Sequence, residues 1–106
     1  MTQFHNIDPM ALTALMAKPK LLLIDVRNED EVARGMIANA IHIPLSMLAV
    51  EYPKLADKDE IVFYCHSGVR SAMAAEFAMQ QGTAQAYNLS GGVIAWARAG
   101  YAFVNK

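Results

Sequence analysis

The sequence contains very little cysteine. Cys65 is the only one among 106 residues, which excludes an internal disulfide and a Cys-x-x-Cys redox pair. A cysteine-rich zinc site is excluded as well, because His5, His42 and His66 are scattered without metal-ligand spacing. Any redox or transfer chemistry at Cys65 must therefore use a partner from outside the chain.

Charged residues and long apolar runs are also scarce. Charged residues make up 18% of the chain and the net charge is −1, which argues against a broad nucleic-acid-binding surface. No apolar run approaches the roughly 20 residues that span a membrane, and residues 1–6 lack the basic and then apolar pattern of a signal peptide. With 55% hydrophobic residues, the chain is expected to form one globular domain over residues 1–106, located in the cytoplasm.

Two periodicities alternate along the chain. The apolar run of residues 21–26 is typical of a strand covered on both faces. The predicted strands are 4–7, 21–26, 40–43, 60–64 and 86–89. The predicted helices are 9–17, 28–34, 45–50, 71–81 and a last one that follows Gly91-Gly92 and ends near Gly100. This alternation predicts an α/β fold with a central parallel sheet and helices on both faces. Ligands of such folds bind at the carboxyl ends of the strands, where Cys65 and Asp25 both fall.

Cys65 stands where the hydrophobic run 61–64 breaks into a small polar loop that leads into a helix. The helix directs its free N–H groups and positive dipole end back at the loop, and Arg70 adds a positive charge. Gly68 allows a positive φ, so that successive N–H groups can form an anion nest. Each effect favours the thiolate, and we predict a lowered pKa for Cys65. The alternative, a buried cysteine that only packs, is disfavoured by the polarity of the loop.

The length of this loop distinguishes between two chemistries. Tyrosine-phosphatase-type loops have five residues between the cysteine and the arginine and wrap a phosphate, whereas four separate Cys65 from Arg70. The tighter loop suits a single added sulfur atom better than a phosphate. A phosphatase also needs an aspartic general acid, and nothing in the sequence assigns that role to Asp25, Asp57 or Asp59.

The motifs together resemble those of single-domain rhodaneses, which are sulfurtransferases of the thiosulfate type, over nearly the whole chain. The first motif is Leu23-Ile24-Asp25-Val26-Arg27, followed by Glu31, Gly35, Ile37, Ala40 and Ile43-Pro44. The active loop is Cys65 to Arg70, and the closing motif is Leu89-Ser90-Gly91-Gly92 with Trp96 and Gly100. The chain departs from the family's usual residues at Val32, Met36, Ala38, Asn39 and Tyr101. These departures bear on the subfamily and not on Cys65.

The resemblance implies a double displacement at Cys65. The thiolate attacks the outer sulfur of a donor such as thiosulfate, sulfite leaves, and loop N–H groups from His66 through Ser71 stabilise the persulfide. An acceptor then removes the sulfur. The acceptor is cyanide in an assay, or a small thiol or a sulfur-carrier or thioredoxin-like protein in a cell. The reaction needs no metal, no redox cofactor and no strong general base.

The other loop residues have more than one interpretation. Arg70 either steers an anionic donor or pins the loop through hydrogen bonds to its carbonyls. A base role for His66 is disfavoured, since its ring can point away from the neighbouring sulfur. Ser67 either donates to the donor molecule or lines the pocket, and Val69 packs.

Asp25 and Arg27 form a second polar cluster with a supporting role. Arg27 and Glu31 lie four residues apart around a helix start, which predicts an ion pair that ties this loop to the sheet. Asp25 is expected next to the active loop, where it can accept N–H bonds.

Two other functions remain open. One is a non-enzymatic sulfur-relay or regulatory module that accepts persulfide from a protein partner through the same loop. The other is an arsenate reductase or phosphatase on the related fold, which the loop spacing disfavours.

Overall fold

The computed structural model describes residues 3–106, within which the chain forms a five-stranded sheet flanked by helices. The strands are β1 (His5–Ile7), β2 (Leu22–Asp25), β3 (Ile41–His42), β4 (Glu60–Tyr64) and β5 (Gln85–Leu89). The helices are α1 (Pro9–Met16), α2 (Glu29–Val32), α3 (Leu48–Glu51), α4 (Val69–Gln80) and α5 (Gly92–Arg98). Two 3₁₀ helices, Leu45–Met47 and Tyr52–Leu55, flank α3. None of the helices in residues 3–106 has the length and apolarity to span a membrane.

The strand order is β1-β5-β4-β2-β3, and every neighbouring pair is parallel. β4 therefore lies between β2 and β5. Asp25 of β2 pairs with Tyr64, and Asn88 of β5 pairs with Phe63. The carboxyl end of β4, which Cys65 follows, is thus flanked by two polar residues from neighbouring strands. The predicted α/β fold with a parallel sheet is confirmed.

The core lies on both faces of the sheet because side chains alternate along β4. Ile61 and Phe63 belong to a buried cluster with alanines of α4. Val62 and Tyr64 belong to a second cluster with residues of α1 and α5. Cys65 continues the alternation on the α4 side, where 1% of it is exposed. Burial on both faces explains why residues 61–64 of β4 form a continuous apolar run rather than alternating.

Several element boundaries differ from the prediction. α4 begins at Val69 rather than at residue 71, because Gly68 caps it with φ +105°. The predicted strand 40–43 is only two residues long, and the predicted helix 45–50 starts as a 3₁₀ turn and becomes α-helical at Leu48. The differences lie at the ends of elements, where local hydrogen bonding decides the geometry.

Candidate active site

Cys65 is held at the junction of β4 and α4 with its sulfur facing the start of the helix. The Gly68 N–H donates to Sγ at 3.1 Å, and the Ser71 N–H donates at 3.4 Å. The left-handed backbone at Gly68 turns these two N–H groups toward the same point. The anion nest predicted from Gly68 therefore surrounds the cysteine sulfur itself.

The Ser71 hydroxyl is a third hydrogen-bonding group at the sulfur. Its Oγ lies 3.3 Å from Sγ, and Ser71 is fully buried. The sequence indicated Ser71 only as a backbone donor. His66 and Ser67, two of the other predicted loop residues, are exposed at the surface. Val69 was predicted to pack, and this is wrong, because 68% of it is exposed.

Two opposing effects act on the ionisation of Cys65. Burial raises the pKa of the thiol, but hydrogen bonds from the Ser71 hydroxyl and from the N–H groups of Ser71, Gly68 and Ser67 lower it more. The pKa of Cys65 is therefore below its ordinary value, and the predicted direction is confirmed. Hydrogen bonds to the sulfur supply most of this decrease, and the charge of Arg70, to which the sequence had assigned a part, acts on Cys65 as well.

Ser71→Ala is expected to move the ionisation of Cys65 to higher pH, because the largest lowering contribution is lost. Iodoacetamide reacts with the thiolate, so the alkylation rate rises with pH through the pKa of Cys65 and then reaches a plateau. Below that plateau the variant is expected to react about tenfold more slowly, as for loss of one hydrogen bond to a charged group. Ser67→Ala is the matched control, since that side chain is exposed. An unchanged pH profile for Ser71→Ala would contradict this assignment.

Arg70 is paired with Glu31 rather than with the loop. Its Nη1 donates to Glu31 Oε1 at 2.6 Å and its Nη2 to Oε2 at 2.8 Å. The predicted hydrogen bonds from Arg70 to loop carbonyls are wrong, because both Nη atoms, at one edge of the guanidinium, bond to Glu31 instead. The pair ties the first turn of α4 to α2.

The same ion pair keeps Glu31 ionised. Hydrogen bonding to Arg70 is the main reason that the pKa of Glu31 falls to about 2. Since this folded value lies below the ordinary one, the pair stabilises the fold above the ordinary pKa and ceases to do so as the pH falls through about 2. Arg70 and Glu31 therefore form a neutral unit at any pH at which the thiolate exists.

Asp25 and Arg27 form a buried ion pair with each other. Asp25 accepts from the Arg27 N–H at 2.9 Å, from Nε at 3.0 Å and from Nη2 at 2.7 Å. The predicted Arg27–Glu31 ion pair is wrong, since Arg27 reaches only the Glu31 backbone carbonyl, at 3.4 Å. A buried guanidinium needs a buried carboxylate, and Asp25 supplies it.

The Asp25–Arg27 pair supports the loop after β2. Arg27 Nη2 also donates to the Gly35 carbonyl at 2.7 Å, which closes this loop. The predicted hydrogen bonds from N–H groups of the active loop to Asp25 are wrong, because the described N–H groups that donate to its carboxylate are those of Arg27. Asp25 and Arg27 therefore hold the loop that lines the cavity, and they do not hydrogen-bond to the sulfur.

Asn88 is a site residue that the sequence did not indicate. Its Oδ1 lies 2.5 Å from Ser71 Oγ, and its Nδ2 donates to the Gly68 carbonyl at 3.2 Å and to Asn6 Oδ1 at 3.0 Å. Asn88 lies within a strand, and only the strand order places it beside Cys65. A buried polar residue at the end of a strand is the one signal that was available.

The start of α5 holds the active loop from the other side. Its Val93 N–H donates to the Cys65 carbonyl at 3.0 Å, and its Ile94 N–H donates to the His66 carbonyl at 3.3 Å. A Cβ added at Gly92 would lie 2.4 Å from the Cys65 carbonyl oxygen. The glycine in the closing motif is therefore required for this close approach.

A cavity of about 340 Å³ adjoins the loop at His66, with Glu31, Arg34 and Phe103 among the residues that line it. Glu31 is neutralised by Arg70. Arg34 has no ion-pair partner within residues 3–106. This cavity therefore carries a net positive charge and suits an anion. The described residues contain no group of three or more His, Cys, Asp or Glu side chains that could hold a metal ion.

Comparisons with known proteins agree on one family. Residues 8–99 match the model of the rhodanese-like domain. A sulfurtransferase of Allochromatium vinosum is 38% identical over 101 residues, which cover 94% of both chains. The thiosulfate sulfurtransferase GlpE of Coxiella burnetii is 32% identical over 94 residues, 88% of this chain and 87% of the relative.

A solved structure shares both the fold and part of the sequence. The rhodanese-related protein of Thermoplasma volcanium has a TM-score of 0.85 at 33% identity, covering 97% of this chain and all of that one. A protein of Rhodopseudomonas palustris, described as a possible tyrosine phosphatase, has a TM-score of 0.85 at 26% identity, over 95% and 85% of the two chains. The relatives with sulfurtransferase names support a sulfurtransferase-type function. With both its sequence motifs and its fold matched over almost the full length, the chain belongs to the rhodanese-like domain family.

Proposed function

We propose that this protein is a sulfurtransferase that moves sulfane sulfur from thiosulfate, or a similar anionic donor, to a thiophilic acceptor through a persulfide on Cys65. The observation that carries the proposal is the environment of the sulfur. The Sγ of the chain's only cysteine is within hydrogen-bonding distance of two N–H groups and one hydroxyl. Such an environment favours a thiolate and later an anionic sulfur.

In the first step the Cys65 thiolate attacks the outer sulfur of the donor. A new S–S bond forms at Sγ, the donor's own S–S bond breaks, and its electron pair leaves with sulfite. The positive charge at the cavity mouth, contributed by Arg34, supports entry of an anionic donor. No proton needs to be removed by a base, because the nucleophile is already ionised.

In the second step an acceptor nucleophile attacks the outer sulfur of the persulfide. The bond to Sγ breaks, and Cys65 leaves as a thiolate with the electron pair. The N–H groups of Gly68 and Ser71 stabilise that leaving group, and a thiol of lowered pKa leaves faster. Cyanide, a small thiol, or a sulfur-carrier or thioredoxin-like protein has the required nucleophile.

A phosphatase or arsenate reductase function has less support. Asp57 and Asp59 precede β4 and so lie at the opposite end of that strand from Cys65. Asp25 is occupied by Arg27, and Glu31 by Arg70. None of these carboxylates is available as the general acid for a leaving oxygen.

The proposal is tested by the mass of the intact protein after incubation with thiosulfate. We expect a gain of one sulfur atom on the peptide that contains Cys65. Cyanide should then remove the sulfur as thiocyanate. Absence of both the mass gain and thiocyanate would reject the proposal. Sulfur uptake only from a persulfide-carrying protein would favour the relay module, and hydrolysis of an aryl phosphate would favour the phosphatase.

Arg70→Ala is expected to slow persulfide formation from thiosulfate by about tenfold, because it leaves the Glu31 carboxylate unpaired beside the path of an anionic donor. Stopped-flow measurement of sulfite release gives the rate. The double variant Arg70→Ala/Glu31→Gln is the control, and it should recover most of the loss. If Glu31→Gln did not raise the rate of the Arg70→Ala variant, Arg70 itself would contact the donor. The explanation that Arg70 acts by neutralising Glu31 would then be wrong.

A further inference from the structure

The Ser71 hydroxyl has one proton and two possible acceptors. Its Oγ lies 2.5 Å from Asn88 Oδ1 and 3.3 Å from Cys65 Sγ. Ser71 is fully buried and Asn88 is 4% exposed, so bulk water does not readily replace either contact. The proton can satisfy the amide oxygen or the sulfur, but not both at full strength.

The orientation of the Asn88 amide is determined by its neighbours. The Gly68 carbonyl, 3.2 Å away, can only accept a hydrogen bond, so the NH₂ group of Asn88 must face it. The Oδ1 atom therefore faces Ser71. Because an amide oxygen cannot donate, Ser71 is the donor in the 2.5 Å contact.

This assignment allows the neutral thiol a complete chain of hydrogen bonds. Because the Ser71 O–H donates to Asn88 Oδ1, the Cys65 S–H can donate to Ser71 Oγ, which lies 3.3 Å from Sγ. When the thiol ionises, its proton is lost and the sulfur becomes an acceptor. The hydroxyl must then turn toward Sγ, which leaves the buried Asn88 oxygen without a donor.

We propose that Asn88 is a positioning residue that competes with the Cys65 thiolate for the single proton of Ser71. Asn88 thereby limits how far the site stabilises the thiolate. The N–H groups of Gly68 and Ser71 still donate to the sulfur and favour its ionisation. A thiolate that is less strongly held is a better nucleophile.

The consequence for sulfur transfer rests on the proposed function. In a persulfide the negative charge lies on the outer sulfur, about 2 Å beyond Sγ. The Ser71 hydroxyl can then return to Asn88, so the persulfide is free of the competition that the thiolate experiences. Asn88 therefore shifts the equilibrium toward the sulfur-loaded form.

The charged groups around Cys65 are paired among themselves. Arg70 of α4 pairs with Glu31 of α2, and Asp25 of β2 pairs with Arg27. The remaining titratable group, His66, is exposed next to the cysteine. Since none of them hydrogen-bonds to Ser71 or Asn88, their effects on the thiolate cancel when variants of those two residues are compared in a cycle.

The test is a double-mutant cycle of Asn88→Leu and Ser71→Ala, with the pH profile of iodoacetamide alkylation as the readout. Loss of the Asn88 side chain also removes its hydrogen bond to the Gly68 carbonyl. The effect of that loss on the ionisation of Cys65 is the same whether residue 71 is serine or alanine. With Ser71 present, the freed hydroxyl proton should favour the thiolate about fivefold more than in the Ser71→Ala background. Equal effects of Asn88→Leu in both backgrounds would overturn the proposal.

Two further variants sharpen this test. Asn6→Ala removes a partner of the Asn88 NH₂ group and leaves the Oδ1 contact intact, so it should leave the alkylation profile unchanged. A shift as large as that of Asn88→Leu would show that packing alone is responsible, against the proposal. Asn88→Ala replaces Asn88→Leu in the cycle if the leucine variant does not fold, as judged by circular dichroism.

The equilibrium of sulfur loading gives a second readout. With thiosulfate and sulfite both present, Asn88→Leu should lower the ratio of persulfide to thiolate about fivefold, and an unchanged or raised ratio would contradict the proposal. Alkylation does not require sulfur transfer, so the cycle remains decisive even if thiosulfate is not a donor. If the cycle were additive in a protein that does transfer sulfur, the role of Asn88 would be rejected and the proposed function would stand.

Discussion

Cys65→Ser is expected to abolish sulfur uptake from thiosulfate and to lower thiocyanate formation at least about a thousandfold, as for loss of an essential nucleophile. A serine hydroxyl stays protonated where the cysteine is a thiolate, and its oxygen is a much weaker nucleophile toward sulfur. The chain has no second cysteine to replace it. Intact mass after incubation with thiosulfate and the rate of thiocyanate formation are the two measurements.

The serine variant is also its own control for folding. Serine is close to cysteine in size, and its oxygen can accept from the N–H groups of Gly68 and Ser71, as Sγ does. We therefore expect a midpoint of thermal unfolding close to that of the unsubstituted protein. A sulfur atom gained by the folded serine variant would mean that sulfur binds elsewhere in the chain, against the role of Cys65.

Gly92→Ala is expected to destabilise the protein by about 3 kcal/mol and to slow persulfide formation about a hundredfold. The added Cβ would lie 2.4 Å from the Cys65 carbonyl oxygen and 2.5 Å from that of His66. The backbone must therefore move at the residue that carries the nucleophile. Thermal unfolding should occur roughly 15 °C lower, and sulfite release measures the rate.

Gly100→Ala is the matched control for this effect. Gly100 also has a positive φ, +88°, but nothing lies within 4 Å of an added Cβ. The control measures the strain of a left-handed alanine alone, about 1 kcal/mol, and should leave the rate of persulfide formation unchanged. If Gly92→Ala lowered the unfolding temperature and the rate of persulfide formation no more than Gly100→Ala, close contact with the loop would not be the reason for a glycine at position 92.

The sequence predicted the elements because each has a strong local signal. Apolar runs without polar alternation indicated strands buried on both faces, and the alternation of strands with helices indicated a parallel sheet. The lowered pKa of Cys65 was equally accessible to prediction, since a lone cysteine between an apolar run and a polar, glycine-containing loop is typical of a thiolate site. The ends of short elements were less predictable, because one hydrogen bond decides them.

The partners of the charged residues could not be predicted from spacing. Arg27 and Glu31 have the separation of a helical ion pair, yet Arg27 turns back to buried Asp25 and Glu31 binds Arg70, 39 residues away. The position of Asn88 likewise depends on the strand order, in which β5 lies beside β4. Both outcomes depend on contacts between segments distant in the chain, for which a single sequence carries no local signal.

The support of the active loop by residues 88–94 has a consequence for the newly made chain. Asn88, Val93 and Ile94 hold the backbone of the loop, and the ribosome adds all of them well after Cys65. A nascent chain that ends before Asn88 lacks these hydrogen bonds, so its active loop is not yet held in place. The loop takes its final geometry only when the last strand and helix have docked, so the site is completed at the end of synthesis.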